Sequence, residues 1–287
     1  MRKLTLGVFL AAAMAAAMAA AAEQPAADSA ASIRLYVFDC GTLSLEDVSA
    51  FGIGNDETPV RQLFVPCYLL EHRDADRVRR LLFDAGLPAG IAGQGPVSPE
   101  PGLVMHYARS LQDQLAELNL APADIDYLAF SHLHFDHVGS ANLFTEAVHL
   151  IQHEEYQAGF IAGHSEFYEQ DLFAALADSP RQVLHGDHDV FGDDSVRLVS
   201  APGHTPGHQV LLVRLQDPGP VVLSGDLYHF RESRRLRRVP LFNSDAQQTL
   251  ASMDKVEALL QAENATLWIQ HDQALADTLN KAPAYYQ

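Results

Sequence analysis

The chain has 287 residues and a formal net charge of −18 at pH 7, from 37 acidic and 19 basic side chains. A surface this acidic repels a phosphate backbone, so the composition argues against nucleic acid as a partner. Hydrophobic residues make up 48% of the sequence, and a chain of this length can bury one large core without dividing into independent domains.

The N-terminus has the order of features of a secretory signal peptide. Arg2 and Lys3 give a positive start, an apolar run passes into alanine, and an A-x-A-like cleavage site ends at Ala22. An uncleaved membrane anchor is the alternative, since a run of this length could span a bilayer. We predict a signal peptide over 1–22 and a flexible leader over 23–32. The mature protein is then expected to be periplasmic or secreted, without a stable membrane anchor.

Residues 33–287 are predicted to form one domain of strands and helices. Apolar and partly alternating runs predict strands at 33–38, 63–70, 81–84, 126–130, 148–151, 196–199, 210–215, 221–223 and 267–269. Helical spacing of apolar residues predicts helices at 111–118, 157–177 and 246–263. Two groups of strands with helices between them predict an α/β fold, with two sheets packed face to face and helices outside.

Cys40 and Cys67 are the two cysteines of the chain. An exported protein permits a disulfide between them. Each cysteine also lies in an apolar strand-like run, where a buried free thiol is equally consistent. The sequence leaves the pairing open, and neither cysteine is assigned a catalytic role.

The strongest chemical signal is the run from His132 to His137, with the sequence His-Leu-His-Phe-Asp-His. In an extended segment alternate side chains point to the same side, so His132 and His134 can bind one metal ion. A following turn would present Asp136 and His137 together, suited to a second ion. Imidazole and carboxylate ligands suit zinc, iron or manganese. A single histidine is more often structural, but four such residues within six positions favour a metal site.

Three later segments add candidate ligands, and each follows a predicted strand. His204 lies in a glycine-bounded loop at 203–208, Asp226 follows a Ser-Gly pair, and His271 follows the last strand. Because several strands can end at one edge of a sheet, we expect these side chains to converge there with the first histidine run.

This order resembles the metallo-β-lactamase superfamily, in which an H-x-H-x-D-H motif precedes a histidine, a bridging aspartate and a final histidine. The resemblance spans roughly residues 32–287 and implies the metallo-β-lactamase αβ/βα sandwich, with two mixed sheets and helices outside. It also implies a cofactor of two zinc ions, with iron, manganese or cobalt as alternatives. The implied ligands are His132, His134 and His204 for the first ion, Asp136, His137 and His271 for the second, and Asp226 as the bridge.

The resemblance extends to two residues near the ligands. Asp84 matches the early Asp-x-Gly turn of the superfamily, where it would orient a ligand histidine through a hydrogen bond. His208 falls outside the ligand pattern, so its implied role is structural or in support of a ligand.

Within the superfamily, the chain resembles the N-acyl homoserine lactonases, for which the G-H-T-P-G-H-Q string at 203–209 is typical. This implies a hydrolase that opens the lactone ring of a small molecule, an N-acyl homoserine lactone, by attack of a hydroxide that bridges two metal ions. Asp136 could carry a proton to the leaving alkoxide. The biological consequence would be quorum quenching.

The chain departs from that family at one position. Well-known lactonases have a tyrosine three residues after the bridging aspartate, whereas this chain has His229 there and Tyr228 one residue earlier. Either side chain could donate a hydrogen bond to the oxyanion, and the sequence slightly favours Tyr228. The loop 87–105 and the aromatic segment 160–173 are the expected walls of an acyl-chain groove, although core packing is the ordinary role of aromatic residues.

Other functions are compatible with the same fold. A glyoxalase-II-like thioesterase shares the bridging aspartate, and the arginine run at 231–238 could bind glutathione or form a solvated helix face. A periplasmic β-lactamase is a second alternative, but lactamases of the closest subclass lack an aspartate at the position of Asp226. A scaffold without activity conflicts with the complete ligand set. Acyl-chain length, the native metal and the oligomeric state, a homodimer included, stay open.

Overall fold

The computed structural model describes residues 31–162 and 168–287. Residues 1–30, which carry the predicted signal peptide and most of the predicted leader, lie outside this part, as do residues 163–167. Ser32, which the sequence assigned to the leader, is instead the first residue of a strand. None of the helices in the described ranges is long and apolar enough to cross a membrane.

Two mixed sheets form within the described ranges. Their strands are β1 (Ser32–Leu45), β2 (Gln62–Arg73), β3 (Val78–Phe83), β4 (Val97–Glu100), β5 (Leu103–His106), β6 (Tyr127–Ala129), β7 (Val148–Gln152), β8 (Arg181–Leu184), β9 (His188–Asp189), β10 (Val196–Ser200), β11 (Gln209–Val213), β12 (Val221–Leu223) and β13 (Thr266–Trp268). The first sheet has the order β4-β5-β1-β2-β3-β6-β7-β8, and the second has the order β13-β12-β11-β10-β9. The predicted α/β class with two mixed sheets is confirmed.

Alternation along the strands divides the first sheet between two apolar layers. Successive side chains of a strand point to opposite faces. Leu35 and Val37 of β1 pack with Leu211 of β11, so this layer lies between the two sheets. Phe38, on the other face of β1, packs in the same cluster as Leu115 from the helix that covers this sheet. Burying one such leucine side chain stabilises the fold by roughly 2 kcal/mol.

The helices of the described ranges are α1 (Leu111–Glu117), α2 (Phe135–Val138), α3 (His153–Tyr156), α4 (Arg231–Leu236), α5 (Ala246–Glu263) and α6 (Gln273–Ala276). Helix α5 has the predicted bounds because both ends are capped. The Asp245 side chain accepts hydrogen bonds from two backbone N–H groups of the first turn, and Asn264 ends the helix in the left-handed conformation. Met253 and Val256 pack α5 onto the outer face of the second sheet.

The prediction of one helix over 157–177 is wrong. Helix α3 passes into a single π-helical segment at Gln157–Ile161, and short 3₁₀ turns follow at Gln170–Leu172 and Ala174–Asp178. Glycine is a weak helix former, and a Cβ on Gly159 would lie 2.3 Å from the Leu133 side chain. The segment around Gly159 therefore packs closely against the histidine-bearing loop.

Cys40 and Cys67 form a disulfide between β1 and β2. The register of the two strands places Cys67 opposite Phe38, and the two cysteine Cα atoms are 5.9 Å apart. This distance lies within the range of ordinary disulfides. The disulfide packs against Gly86, where a Cβ would lie 2.3 Å from the Cys40 Cβ atom. The bond therefore lies directly under the turn that carries Asp84.

Candidate metal centre

The candidate ligands follow strands whose carboxyl ends meet at one edge of the sandwich. β3 and β6 are parallel, and Asp84 and His132 follow them. β10 and β12 both run antiparallel to β11, so they share a direction, and His204 and Asp226 follow them. His271 comes after β13, which is parallel to β12. Strand direction thus explains why residues distant in sequence meet.

Three histidine nitrogens form the first cluster. The Nε2 atom of His132 lies 2.8 Å from Nδ1 of His134 and 3.1 Å from Nε2 of His204. The remaining pair, Nε2 of His204 and Nδ1 of His134, is 3.2 Å apart. A tetrahedral zinc ion with Zn–N distances of about 2.0–2.1 Å holds its nitrogen ligands about 3.3 Å apart. The three nitrogens therefore have nearly the spacing of ligands to one ion.

Asp136, His137 and His271 form the second cluster. The Nε2 atom of His271 is 3.6 Å from Oδ2 of Asp136, and Nε2 of His137 is 3.8 Å from Oδ1 of the same carboxylate. All three side chains are buried. Two imidazole nitrogens and one carboxylate facing a common point match the ligand types that zinc and related ions use.

The Asp226 carboxylate lies between the two clusters. Its Oδ2 atom is 3.4 Å from Nε2 of His204 and 3.8 Å from Nε2 of His132. Its Oδ1 atom is 3.0 Å from Nε2 of His271 and 3.3 Å from Nε2 of His137. Each oxygen faces a different cluster, which is the arrangement of a carboxylate that two ions can share. The structure thus brings together all seven side chains predicted as ligands.

Hydrogen bonds behind the second cluster orient its rings. Nδ1 of His137 lies 3.0 Å from Oδ2 of Asp84, and Nδ1 of His271 lies 2.8 Å from the Phe64 carbonyl oxygen. When Nδ1 donates to these acceptors, the Nε2 lone pair of each ring is directed into the cluster. Asp84 therefore has the contact that the superfamily resemblance implied.

Further contacts hold Asp84 and His204 in place. The Asp84 carboxylate accepts hydrogen bonds from the Ser131 backbone N–H at 2.7 Å and from Nε2 of Gln270 at 2.9 Å. Nδ1 of His204 lies 2.9 Å from Oδ1 of Asn243. No role was predicted for Gln270 or Asn243, because an isolated amide residue carries no signal of a distant partner.

His208 supports the bridge from behind. Its Nδ1 atom donates to the Ala201 carbonyl oxygen at 3.0 Å, and its Nε2 atom accepts from the Asp226 backbone N–H at 2.9 Å. Burial, together with nearby His204, lowers the pKa of His208 to about 3, so the ring is neutral at pH 7. A Cβ on Gly225 would lie 2.7 Å from Nε2 of His208, so the Ser-Gly-Asp turn requires glycine for this contact.

The burial and charge of His132 in the first cluster and of the shared Asp226 fit a divalent cation. Burial and nearby His137 lower the pKa of His132 well below its usual value. Burial by itself would raise the pKa of Asp226, but the surrounding histidines, His229 first among them, lower it well below its usual value. Within the described ranges, Nε2 of His137 and Oδ1 of Asp226 are buried, and their close contacts with each other and with His271 lack hydrogen-bond geometry. Such atoms are costly to bury unless a cation binds them.

Tyr228 and His229 point in opposite directions from an extended backbone, with φ −140° and ψ 129° at Tyr228. Nε2 of His229 lies 2.9 Å from Oδ2 of Asp226, and its ring stacks on His271 with 5.7 Å between centroids. The Tyr228 hydroxyl donates instead to Oε1 of Glu257 at 3.0 Å. The preference for Tyr228 is therefore wrong, and His229 is the residue that faces the clusters.

A cavity of about 870 Å³ opens over the two clusters. The predicted loop 87–105 forms one wall, with Pro88 and Met105 among its lining residues. The prediction of an aromatic wall at 160–173 is wrong within the part the structure describes. Of that segment only Glu169 lines the cavity there, and Phe160 and Phe173 pack on each other at 5.1 Å. The other large apolar side chains of the lining are Leu43, Leu45, Phe51, Leu63, Leu103, Phe135 and Phe242.

The charged side chains of this lining are all acidic. Besides the aspartates of the clusters they are Glu46, Asp47, Glu100 and Glu169. The arginine run faces a different cavity of about 710 Å³, together with Tyr228. There Arg234 pairs with Glu257 at 2.7 Å, and Arg231 pairs with Asp272. The two cavities therefore differ in the sign of the charge that lines them.

A family model described as the metallo-beta-lactamase superfamily matches residues 60–265. The chain belongs to this superfamily. The N-acyl homoserine lactonase AttM of Rhizobium johnstonii is 29% identical over 270 residues, which cover 88% of this chain and 98% of AttM. An N-acyl homoserine lactonase from a Bacillus species is 30% identical over 251 residues, which cover 83% of this chain and 93% of that relative.

A solved structure gives the same result at the level of the fold. It shows an N-acyl homoserine lactone hydrolase with the product N-hexanoyl-L-homoserine bound at its catalytic metal centre. The TM-score is 0.73 at 26% identity, and the match covers 88% of this chain and 98% of that one. The predicted metallo-β-lactamase fold and the resemblance to the lactonase family are confirmed. The chain is a metal-dependent hydrolase of this superfamily.

Proposed function

We propose that the protein is a di-zinc lactonase that hydrolyses the ring ester of N-acyl homoserine lactones, the reaction of quorum quenching. The observation that carries the proposal is the Asp226 carboxylate, whose two oxygens face two separate clusters under one largely apolar cavity. The relatives named as N-acyl homoserine lactonases support the substrate class.

The residues present fit two bound cations. The proposed ligands are His132, His134 and His204 for one ion, Asp136, His137 and His271 for the other, and Asp226 for both. Two bound zinc ions would supply hydroxide near neutral pH by lowering the pKa of water, and would polarise the ester carbonyl. Iron, manganese or cobalt would suit the same imidazole and carboxylate ligands.

His229 is positioned to act on the substrate oxygen. Its buried ring lines the cavity, 2.9 Å from the Asp226 carboxylate. Burial lowers the pKa of His229 to about 4, although Asp226 acts in the opposite direction. At pH 7 the ring is therefore neutral with one N–H donor, which faces Asp226 in this structure. Once both oxygens of Asp226 are taken up by the proposed cations, this N–H would be free to stabilise an oxyanion as a tyrosine hydroxyl would. Asp136, also in the cavity lining, would carry the proton to the leaving alkoxide.

Outside the proposed metal centre, the charged side chains of the cavity lining favour a neutral substrate. An N-acyl homoserine lactone carries no charge, whereas glutathione thioesters and β-lactam antibiotics carry carboxylates. The acidic side chains Glu46, Asp47, Glu100 and Glu169 would repel those anions at the entrance. The arginines that could bind glutathione line the other cavity. This arrangement supports the lactonase over the two alternatives of the same fold.

The apolar wall would hold the acyl chain. Leu43, Phe51, Leu103 and Phe242 lie around the cavity above the clusters. Each methylene group removed from water contributes about 0.8 kcal/mol. We therefore expect the specificity constant to rise with acyl-chain length until the groove is filled.

The test is acid release in a pH-stat with N-acyl homoserine lactones, nitrocefin and S-lactoylglutathione as substrates. Zinc-loaded protein should release acid from the lactones, and chelator-treated protein should not until zinc is restored. Hydrolysis of the thioester alone, or of nitrocefin alone, would overturn the proposal.

The proposed location is the periplasm or the exterior of the cell. It rests on the signal-peptide pattern over 1–22, and the Cys40–Cys67 disulfide supports an oxidising compartment. Cell fractionation with mass spectrometry of the mature N-terminus tests this directly. A cytoplasmic protein that retains Met1 or Arg2 would contradict it.

A further inference from the structure

Glu155 is a buried carboxylate at the join of two loops that carry histidines of the first cluster. Its side chain is 3% exposed. Oε1 accepts a hydrogen bond from the Leu133 backbone N–H at 3.0 Å. Oε2 accepts from Oγ1 of Thr205 at 2.7 Å and from the Gly207 backbone N–H at 2.9 Å. One carboxylate thus connects the loop at 132–134 to the loop at 203–208.

The acceptor sites of Glu155 are fully used. The Tyr168 hydroxyl adds a fourth hydrogen bond, to Oε1 at 2.9 Å. Each carboxylate oxygen then accepts two hydrogen bonds, about the full capacity of the group. Burial raises the pKa of Glu155, and the largest effects that oppose burial are these four hydrogen bonds, with no Lys or Arg among these largest effects. The contacts of Glu155 are therefore directed at the two loops and not at a counter-ion.

Two glycines allow the two loops to pack closely against α3 and the segment that follows it. A Cβ on Gly207 would lie 2.4 Å from the Glu155 nitrogen and 2.5 Å from its Cβ atom. A Cβ on Gly159, in the segment that follows α3, would lie 2.3 Å from the Leu133 side chain. The second glycine of the G-H-T-P-G-H string is thus required by contact with Glu155 and not by contact with a cluster nitrogen.

We propose that Glu155 is a positioning residue for the first metal site. Its hydrogen bonds hold His132 and His134 on one loop, and His204 on the other, at the spacing that one cation needs. The inference rests on the proposed function, because it concerns the affinity of a proposed metal site. The second cluster has different supports, Asp84 and the Phe64 carbonyl oxygen. Loss of Glu155 should therefore weaken one site more than the other.

The test compares Glu155→Gln with Glu154→Gln, a matched change at the neighbouring glutamate, whose side chain is 58% exposed. A glutamine amide keeps the shape but places donor hydrogens against the N–H or O–H donors of the loops. Each zinc-loaded protein is dialysed against graded chelator, and bound zinc is counted by elemental analysis. Anomalous diffraction of the partly depleted Glu155→Gln crystals locates the ion that remains.

We expect Glu155→Gln to lose one ion at a chelator concentration about 10- to 100-fold lower than wild type, with the other ion kept in the second cluster. The kcat for a lactone should fall while KM stays within about threefold. Glu154→Gln should match wild type. Retention of both ions with wild-type affinity, or equal weakening of both sites, would overturn the proposal.

A second variant covers the case in which Glu155→Gln does not fold. Thr205→Val removes one of the four donors and leaves the carboxylate, so it should weaken the same single site to a smaller extent. Unchanged zinc retention in Thr205→Val together with a misfolded Glu155→Gln would assign Glu155 to folding alone and overturn the inference. Failure of the proposed function is distinct, since wild-type protein would then lack two bound ions or lactone turnover.

Discussion

The two cavities on either side of residues 228 and 229 differ in the charge and in the identity of the residues that line them. The cavity that His229 faces lies over both histidine clusters, and its charged lining is acidic. The cavity that Tyr228 faces has an arginine-rich wall and no member of the clusters in its described lining. Tyr228 and His229 are consecutive residues of an extended backbone, so their side chains point to opposite sides. Side-chain direction, and not residue type alone, therefore decides which residue can reach a substrate.

The largest effect on lactone turnover should come from substitution of Asp226, the residue between the two clusters. Asp226→Asn removes the charge that the two proposed cations would share, so bound zinc should fall below two ions per chain. Lactone turnover should fall by about 10³-fold or more, because in the proposed mechanism the supply of hydroxide would depend on both ions. Elemental analysis and pH-stat kinetics check this. Near wild-type turnover with two bound ions would refute the role of Asp226 as a bridge.

Tyr228 and His229, the adjacent residues that face the two different cavities, give the sharpest comparison. His229→Ala removes the donor that faces the clusters and should lower kcat for a lactone by about 10²-fold. Tyr228→Phe removes only the hydroxyl that bonds Glu257 and should change kcat by less than about threefold. Steady-state kinetics on both variants decide between the two residues. A reversed order of effects would show that Tyr228 contacts the substrate.

A smaller effect is expected from substitution of Asp84, whose carboxylate contacts a histidine of the second cluster. Asp84→Asn weakens the acceptor for Nδ1 of His137, so zinc affinity or activity should fall about 10- to 100-fold. The ion lost first should be the one bound by Asp136, His137 and His271, the opposite of the expectation for Glu155→Gln. Chelator titration with elemental analysis tests this order. Loss of the other ion first would contradict the assignment of supports to clusters.

The smallest effect is expected from a substitution in the arginine-lined cavity. Arg234→Gln breaks the ion pair between Arg234 and Glu257. The side chains of this pair are 40% and 32% exposed, respectively. Exposed pairs contribute about 0.2–1 kcal/mol, so the free energy of unfolding should change by no more than about 1 kcal/mol. Lactone kcat/KM should stay within about twofold of wild type. A large loss of turnover, or of thioester hydrolysis if any is found, would place substrate in the arginine-lined cavity.

The gathering of the seven cluster residues could be predicted from the sequence because each follows a strand, and strand direction brings those ends together. Asp84 could be predicted because its short turn has a recognisable pattern. Other features depend on packing that no local pattern records. The π-helical segment that contains Gly159 packs against Leu133, and the aromatic wall comes from Phe51 and Phe242, which are far apart in the sequence. The Cys40–Cys67 pairing depends on register between strands, which spacing does not reveal.

The most direct test is anomalous diffraction at the zinc edge from crystals grown with excess zinc. We expect two peaks, one bounded by the nitrogens of His132, His134 and His204, and one beside Asp136, with an Asp226 oxygen next to each. A single peak, or none, at saturating zinc would contradict the two-ion site.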